Sequence, residues 1–163
     1  MLKGKEKFDL WGFTILELLI VMAIIGILAS VLITAVNPGR QLARARDTQR
    51  ETDLVAILSL IYQYGSEHSG GLPDTDGNPT TSNFPTTMTC IGSGASCFDL
   101  AAAGDGGDTI VPVYIIELPK DPRLQSTGQP GTDANTGYEI MVDANGHLIA
   151  SASGETKSIT AKR

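Results

Sequence analysis

Few side chains in this 163-residue sequence have the types and spacing that chemistry at a site requires. Glu17 is the single charge within an apolar run over residues 13–36. Two cysteines, Cys90 and Cys97, lie in a polar loop region, and residues 74–78 (DTDGN) begin like a calcium-binding loop. These features indicate, in turn, a carboxylate with a role inside a membrane segment, a disulfide, and a candidate cation site.

The spacing of the other residues weakens the cation and catalytic hypotheses. In an EF-hand loop the sixth position is Gly and the twelfth is Glu, whereas here Pro79 and Pro85 stand there. A looser calcium site built from loop aspartates stays open, and no other cofactor is expected. The two histidines, His68 and His147, are far apart, and no G-x-S-x-G, H-E-x-x-H or P-loop motif occurs. The sequence therefore predicts a protein that is not an enzyme.

The composition indicates one membrane segment followed by one modest polar domain. The mean hydropathy is near zero, at +0.05, but the apolar residues are concentrated in residues 13–36. This distribution excludes a multi-pass membrane protein, a coiled-coil rod and a fully disordered chain. The net charge is −6, and residues 54–163 carry five basic and twelve acidic side chains. Because this acidic part of the chain repels phosphate backbones, it is not expected to bind nucleic acid.

The apolar run is long enough to cross a bilayer. As a helix, its 24 residues would span ~36 Å, against ~30 Å for a hydrocarbon core. It exceeds the ~7–15 residues of a signal-peptide apolar region, and no signal-peptidase site is obvious at its end. A carboxylate inside a spanning helix costs ~2.5–3.5 kcal/mol, so Glu17 is either an acid reaching back to the interface or a paired, functional group.

Residues 12–17 are GFTILE and residues 18–29 are LLIVMAIIGILA, which closely resembles the N-terminus of type IV pilins and pseudopilins. The resemblance implies that prepilin peptidase removes residues 1–12 by cutting after Gly12 and methylates the new N-terminus at Phe13. It also implies that Glu17, the fifth residue after the cut, guides assembly by pairing with the Phe13 amine of a neighbouring subunit. On a helix, Phe13 and Glu17 would share one face at i and i+4.

The resemblance also implies the partners and location of the chain. The partners would be prepilin peptidase, an assembly platform with its ATPase, membrane lipid before assembly, and other copies in a helical filament. The precursor would cross the inner membrane once with its N-terminus inside. After assembly the chain would lie in a filament at the cell surface.

A long helix is expected to continue from the membrane segment into the head. Pro38 and Gly39 follow the apolar run and predict a kink, after which residues 37–64 continue as an amphipathic helix. The first half of this helix offers ion pairs between charged residues three apart, namely Arg44/Asp47 and Asp47/Arg50. Its second half carries an apolar stripe that predicts core packing, namely Leu54, Leu58 and Ile61.

The remaining residues 65–163 form the predicted globular head. Residues 65–109 are rich in Gly, Ser, Thr and Asp, which predicts variable surface loops held by a Cys90–Cys97 disulfide. Residues 110–163 predict mainly β-structure, with a hairpin over residues 138–153 about an Asn-Gly turn and a third strand at 157–160. Residues 110–118 fit either a short helix or a strand.

The predicted fold class is α+β. The resemblance implies a pilin fold, in which a long N-terminal helix packs on a small antiparallel sheet. A segment reading LPKDP at residues 118–122, followed by Gly137-Tyr138, resembles one in major pseudopilins and many small pilins. The implied function is a structural filament subunit. One alternative is a pseudopilin of a type II secretion or DNA-uptake system. A second is a single-pass membrane-anchored binding module, which predicts an uncut bond between Gly12 and Phe13.

Overall fold

The computed structural model describes residues 12–35, 37–69, 71–78, 81–105 and 107–163. The chain divides into two compact units, one ending at Pro38 and the other extending from Gly39 to Arg163. The first unit contains helix α1, Ile15–Ala35. The second contains most of helix α2, Pro38–Glu67, together with a four-stranded sheet.

Helix α1 begins at a polar cap and then consists almost wholly of apolar residues. The hydroxyl of Thr14 accepts the Glu17 N–H at 3.2 Å, and the Thr14 carbonyl accepts the Leu18 N–H at 3.3 Å. Ile15–Ile33 has a mean hydropathy of 2.8 and no buried residue in the structure. The helix is therefore long and apolar enough to be a membrane anchor or a signal sequence.

Helices α1 and α2 are separate elements, and the kink predicted at Pro38 and Gly39 stays a prediction because residue 36 lies outside the described residues. Helix α1 ends at Ala35, and Pro38 is the first residue of α2. Proline suits this position because its missing N–H would have no partner in the first turn of a helix. Helix α2 runs for 30 residues, about 45 Å, and ends at Glu67, three residues beyond the predicted end.

The sheet is antiparallel throughout, with its strands in chain order. The strands are β1 Thr89–Cys90, β2 Tyr138–Val142, β3 Leu148–Ser153 and β4 Ser158–Lys162. Strands β2 and β3 form the predicted hairpin, with Val142 opposite Leu148 across an Asn-Gly turn. Strand β4 pairs with β3 and extends two residues beyond the predicted third strand. The α+β class and the C-terminal hairpin are confirmed.

One core lies between the second half of α2 and the sheet. The predicted stripe is confirmed, because Leu54, Leu58 and Ile61 are at most 2% exposed. Alternating strand residues face this stripe, as expected where one face of a sheet is covered. The sheet residues in the core are Tyr138, Ile140, Leu148, Ala150, Ala152 and Ile159.

Residues 65–109 contribute more to the core than surface loops would. This region contains strand β1 and supplies buried apolar side chains, namely Phe84, Ile91, Phe98, Leu100 and Ala103. Its backbone also pairs with the next segment, since the N–H of Ile110 donates to the Ala103 carbonyl at 2.9 Å. Residues 110–118 contain a single helical turn at Ile110–Tyr114, interrupted by extended backbone at Val111.

Candidate functional site

The predicted processing site lies in an accessible segment ahead of α1. Gly12 is exposed, with no neighbouring atom near the position a Cβ would take, and Phe13 is 72% exposed. Neither residue is helical. The bond between them is therefore open to a peptidase, while the leader residues 1–11 lie outside the described residues.

Glu17 occupies the first turn of α1, a position in which it also fits a second role. Residues 14–17 read TILE, which matches the S/T-x-x-E pattern of a capping box, and the Thr14 hydroxyl makes the capping bond. A negative side chain at this position is also favoured by the positive end of the helix dipole. Because the helix begins at Ile15, Phe13 and Glu17 do not share a helical face, contrary to the i, i+4 expectation.

The surface of α1 is a continuous apolar surface. Each side chain from residue 15 to residue 33 is exposed. Glu17 is the only charged one among them. Soluble domains rarely leave contiguous apolar surface of this extent in water, and such a surface marks contact with lipid or protein.

The predicted disulfide is present. Cys90, the last residue of strand β1, forms a disulfide with Cys97, seven positions further along the chain. The loop is closed by backbone as well, because the Phe98 N–H donates to the Cys90 carbonyl at 2.7 Å and the Gly92 N–H donates to the Phe98 carbonyl at 3.0 Å. The cross-link therefore reinforces a turn that joins the sheet edge to the core residue Phe98.

A buried ionic network fixes the first half of α2 to the C-terminal loops. Arg50 is fully buried and forms a two-pronged pair with Asp121, at 2.9 Å from Nε and 2.7 Å from Nη2. Its Nη1 donates to Asp47 at 2.7 Å, and its Nη2 donates to the Arg123 carbonyl at 2.6 Å. The guanidinium thus holds together a helix and the loop that leads into β2.

Asp47 connects the same network to the turn between β3 and β4. Its carboxylate accepts the N–H groups of Glu155 and Thr156, each at 2.8 Å, and the Thr156 hydroxyl at 2.5 Å. Gly154 permits this approach, since a Cβ there would lie 2.1 Å from the Lys157 carbonyl oxygen and 2.9 Å from Asp47. Any larger residue at position 154 would separate the turn from α2.

Two further contacts complete the polar face of α2. The Tyr138 hydroxyl donates to Asp53 at 2.5 Å, and Gln49 donates to the other oxygen of Asp53 at 2.8 Å. Arg46 forms a two-pronged pair with Glu155. The predicted pair of Arg44 and Asp47 is absent, because Asp47 turns toward Arg50 and the head.

We expect acid to weaken the head through Asp47. Burial alone would raise the pKa of Asp47, but hydrogen bonds from Thr156, the Glu155 amide and Arg50 lower it from 3.8 to about 2. A lowered folded-state pKa contributes stability that is present above the unfolded pKa and is lost as the pH falls toward 2. This shift corresponds to about 2 kcal/mol.

Denaturation of the detergent-solubilised chain between pH 6 and pH 2 measures this effect. Asp47→Asn is the matched control, and we expect it to be less stable at pH 6 and to lose less stability on acidification. Identical pH slopes for the two proteins would contradict the assignment of this titration to Asp47.

An open acidic cavity of about 640 Å³ lies at the C-terminal end of α2. Glu67, Asp74 and Asp105 line it, and none of its described lining residues is Lys or Arg. Hydrogen bonds from backbone N–H groups connect the walls of the cavity. The Asp105 N–H donates to the Tyr64 hydroxyl at 3.0 Å, and the Gly104 N–H donates to the Asp74 carbonyl at 2.7 Å. His68 also lines the cavity, with its Nε2 3.8 Å from an Asp108 carboxylate oxygen, so one imidazole accompanies the carboxylates at the negative end of the helix.

Asp74 carries the clearest sign of a missing partner. It is 2% exposed, and its Oδ1 is the only buried side-chain oxygen or nitrogen without a hydrogen-bond partner among the described residues. Burial, followed by the nearby charges of Asp76 and Asp105, raises the pKa of Asp74. Buried polar atoms in native proteins nearly always have partners, so this atom requires an explanation.

The candidate calcium loop does not form a preassembled metal centre in the part of the chain that the structure describes. No three His, Cys, Asp or Glu side chains of these residues gather closely enough to hold a metal ion. The carboxylate of Asp76 instead accepts hydrogen bonds from the Asn78 N–H at 2.8 Å and from the Thr81 hydroxyl at 2.9 Å.

Comparison of the chain with known proteins gives no significant similarity. No family model matches the sequence, and neither the curated proteins nor the solved structures contain a significant match.

Proposed function

We propose that this chain is a prepilin that matures into a structural subunit of a type IV pilus or pilus-like filament. A peptidase cleaves it after Gly12, the new N-terminus at Phe13 is methylated, and subunits assemble through α1. The precursor resides in the inner membrane with its N-terminus inside, and the mature subunit lies in a surface filament. The chain has a structural role rather than an enzymatic one.

The observation that carries this proposal is the pairing of an uncovered apolar helix with a head that has its own closed core. All the described side chains of α1 from residue 15 to residue 33 are exposed, whereas 18 of the described hydrophobic residues in the second unit are buried. A helix of this kind needs a lipid environment or a bundle of similar helices. In a subunit that passes from the membrane into a filament core, α1 occupies first the lipid environment and then the bundle of similar helices.

The exposed N-terminal segment supports the same proposal. The accessible bond between Gly12 and Phe13 lies outside α1, where a peptidase can bind it in extended form. Cleavage would leave a charged amine four residues before Glu17, near the carboxylate that begins the helix. A charged pair in an otherwise apolar bundle sets the register between helices, since an unpaired charge there is costly.

N-terminal mass spectrometry of the exported protein tests the proposal. We expect the mature chain to begin at N-methylated Phe13 and to lack residues 1–12. A Gly12→Leu variant should remain uncut, because a bulky side chain replaces the glycine after which the peptidase cuts. An intact N-terminus on exported wild-type protein would overturn the proposal and favour a membrane-anchored binding module instead.

A pseudopilin of a type II secretion or DNA-uptake system is the alternative role for the same processed chain. The LPKDP segment at residues 118–122 resembles one in major pseudopilins and in many small pilins alike, and its Asp121 holds the loop that precedes β2 against Arg50. Both roles require the same cleavage and the same use of α1. Filament length at the cell surface separates the two, because a pseudopilin would form only short periplasmic assemblies.

A further inference from the structure

The bond between Gly12 and Phe13 lies immediately ahead of the point at which α1 begins. The helix begins at Ile15, and the Thr14 carbonyl accepts the Leu18 N–H at 3.3 Å as the first helical hydrogen bond. Gly12 and Phe13 are exposed and not helical. The Gly12 carbonyl, which a peptidase attacks to cut this bond, therefore lies two residues outside the hydrogen bonds of the helix.

The side chain of Thr14 marks the start of the helix. Its hydroxyl accepts the Glu17 N–H at 3.2 Å, which is the bond that an N-cap residue makes to the third residue of a helix. Of residues 13–16, which read FTIL, only Thr14 has a side chain that can accept such a bond. The start of α1 thus depends on one hydroxyl within an apolar sequence.

Without this cap, the next start available upstream is Gly12. Glycine is accepted at the N-cap position about as well as threonine, whereas alanine and valine are poor there. In a helix capped by Gly12, the Gly12 carbonyl would accept the first helical hydrogen bond, from the Leu16 N–H. The bond to be cut would then lie in the first turn, and the peptidase could bind it only after that turn had opened.

We propose that Thr14 is a positioning residue for cleavage, because its cap on α1 keeps the Gly12 carbonyl outside the helix and open to the peptidase. This inference rests on the proposed function, in which water adds across the bond and leaves a carboxylate on Gly12 and an amine on Phe13. The role of Thr14 is conformational. Any residue that caps a helix well can therefore replace it, whether or not it carries a hydroxyl.

Cleavage of the purified full-length precursor by prepilin peptidase in detergent tests this role. Thr14→Ala and Thr14→Val should raise KM about fivefold at unchanged kcat, since only chains with an open first turn bind the enzyme. A fivefold change corresponds to the roughly 1 kcal/mol that a lost cap costs. Thr14→Gly should keep the wild-type KM, because glycine caps the helix without offering a hydroxyl.

Two sets of control variants separate capping from recognition of the threonine itself. Thr14→Ser and Thr14→Asp are good N-caps and should be cut at least as readily as wild type. Thr48→Ala removes a hydroxyl that donates to the Arg44 carbonyl at 3.1 Å within α2, and it should be cut normally. A Thr14→Gly variant that is cut as poorly as Thr14→Ala would overturn the proposal, by showing that the peptidase binds the hydroxyl directly.

Nuclear magnetic resonance of the same detergent-solubilised precursor gives a readout that does not depend on cleavage. The sequence contains one Gly-Phe pair, at residues 12 and 13, so labelling glycine carbonyls with ¹³C and phenylalanine amides with ¹⁵N selects this bond alone. The Gly12 carbonyl shift should move toward helical values in Thr14→Ala and stay at its wild-type value in Thr14→Gly. An unchanged shift in Thr14→Ala would overturn the proposal.

The two proposals fail in different ways. If wild-type chains are cut after Gly12 and Thr14→Ala is cut with the wild-type KM, the proposed function stands and the positioning role of Thr14 is refuted alone. Wild-type chains that are exported with residues 1–12 attached would refute the proposed function, and the role of Thr14 with it.

Discussion

Arg50→Ala is expected to destabilise the head by about 3–5 kcal/mol, the usual cost of removing one partner from a buried ion pair. Arg50 is fully buried and donates to Asp47, Asp121 and the Arg123 carbonyl. Without the guanidinium, two carboxylates that are at most 2% exposed would face each other without a counter-charge. Urea denaturation of the detergent-solubilised full chain, followed by the near-ultraviolet dichroism of its buried tyrosines, measures the loss.

Two variants on the same helix make this experiment specific. Arg44→Ala removes an exposed arginine six residues earlier and should change the free energy of unfolding by less than about 0.5 kcal/mol. Arg50→Lys keeps the charge but loses the planar fork that binds Asp121 through two nitrogens, so its stability should fall between those of wild type and Arg50→Ala. Equal stability of Arg44→Ala and Arg50→Ala would show that the network does not hold the head together.

Glu17→Ala is expected to be cleaved normally but to lower filament yield by about a hundredfold or more, since an uncompensated buried charge costs roughly 3–5 kcal/mol. The processing site lies ahead of the helix, so the substitution leaves the bond between Gly12 and Phe13 accessible. The mature amine would then enter an apolar bundle without a carboxylate to receive it. Quantification of cleaved chains in membranes and in sheared filaments separates processing from assembly.

The capping contact at Thr14 requires a matched test, because Glu17 also fits a helix start. A capping box accepts Gln as well as Glu at this position, whereas a pair with a charged amine needs the carboxylate. Glu17→Gln should therefore fail to assemble as Glu17→Ala does, and Thr14→Ala should have only the small effect of a lost cap, about 1 kcal/mol. Normal filaments from Glu17→Gln would show that Glu17 acts only as a capping residue and not as the partner of the amine.

The secondary structure was predictable wherever a local pattern was strong. The apolar run predicts α1, the stripe of Leu54, Leu58 and Ile61 predicts the buried face of α2, and the Asn-Gly turn predicts the hairpin of β2 and β3. Each of these patterns lies within a short stretch of chain and depends on periodicity or turn geometry. The disulfide between Cys90 and Cys97 was predictable for the same reason, since only two cysteines occur.

The charged half of α2 shows where local patterns stop being informative. Asp47 and Arg50, three residues apart, resemble an ordinary surface pair, yet both are buried because Asp121 and Thr156 approach them from distant parts of the chain. Asp121 lies 71 positions after Arg50, and Thr156 lies 109 positions after Asp47. No local spacing indicates that partners so far along the chain will complete the network. The same holds for the loop region at 65–109, whose polar composition conceals the core residues Ile91 and Leu100.

The sequence by itself determined the division of this protein into an apolar helix with one carboxylate and an acidic head, because hydropathy and charge are properties of the residues alone. It also determined the motif about Gly12 on which the proposed function depends. Only the tertiary structure decided that Arg50 holds the head together, and that Asp74 and Asp105 line one cavity at the end of α2. Burial and the meeting of distant carboxylates arise from chain packing, which no local spacing encodes.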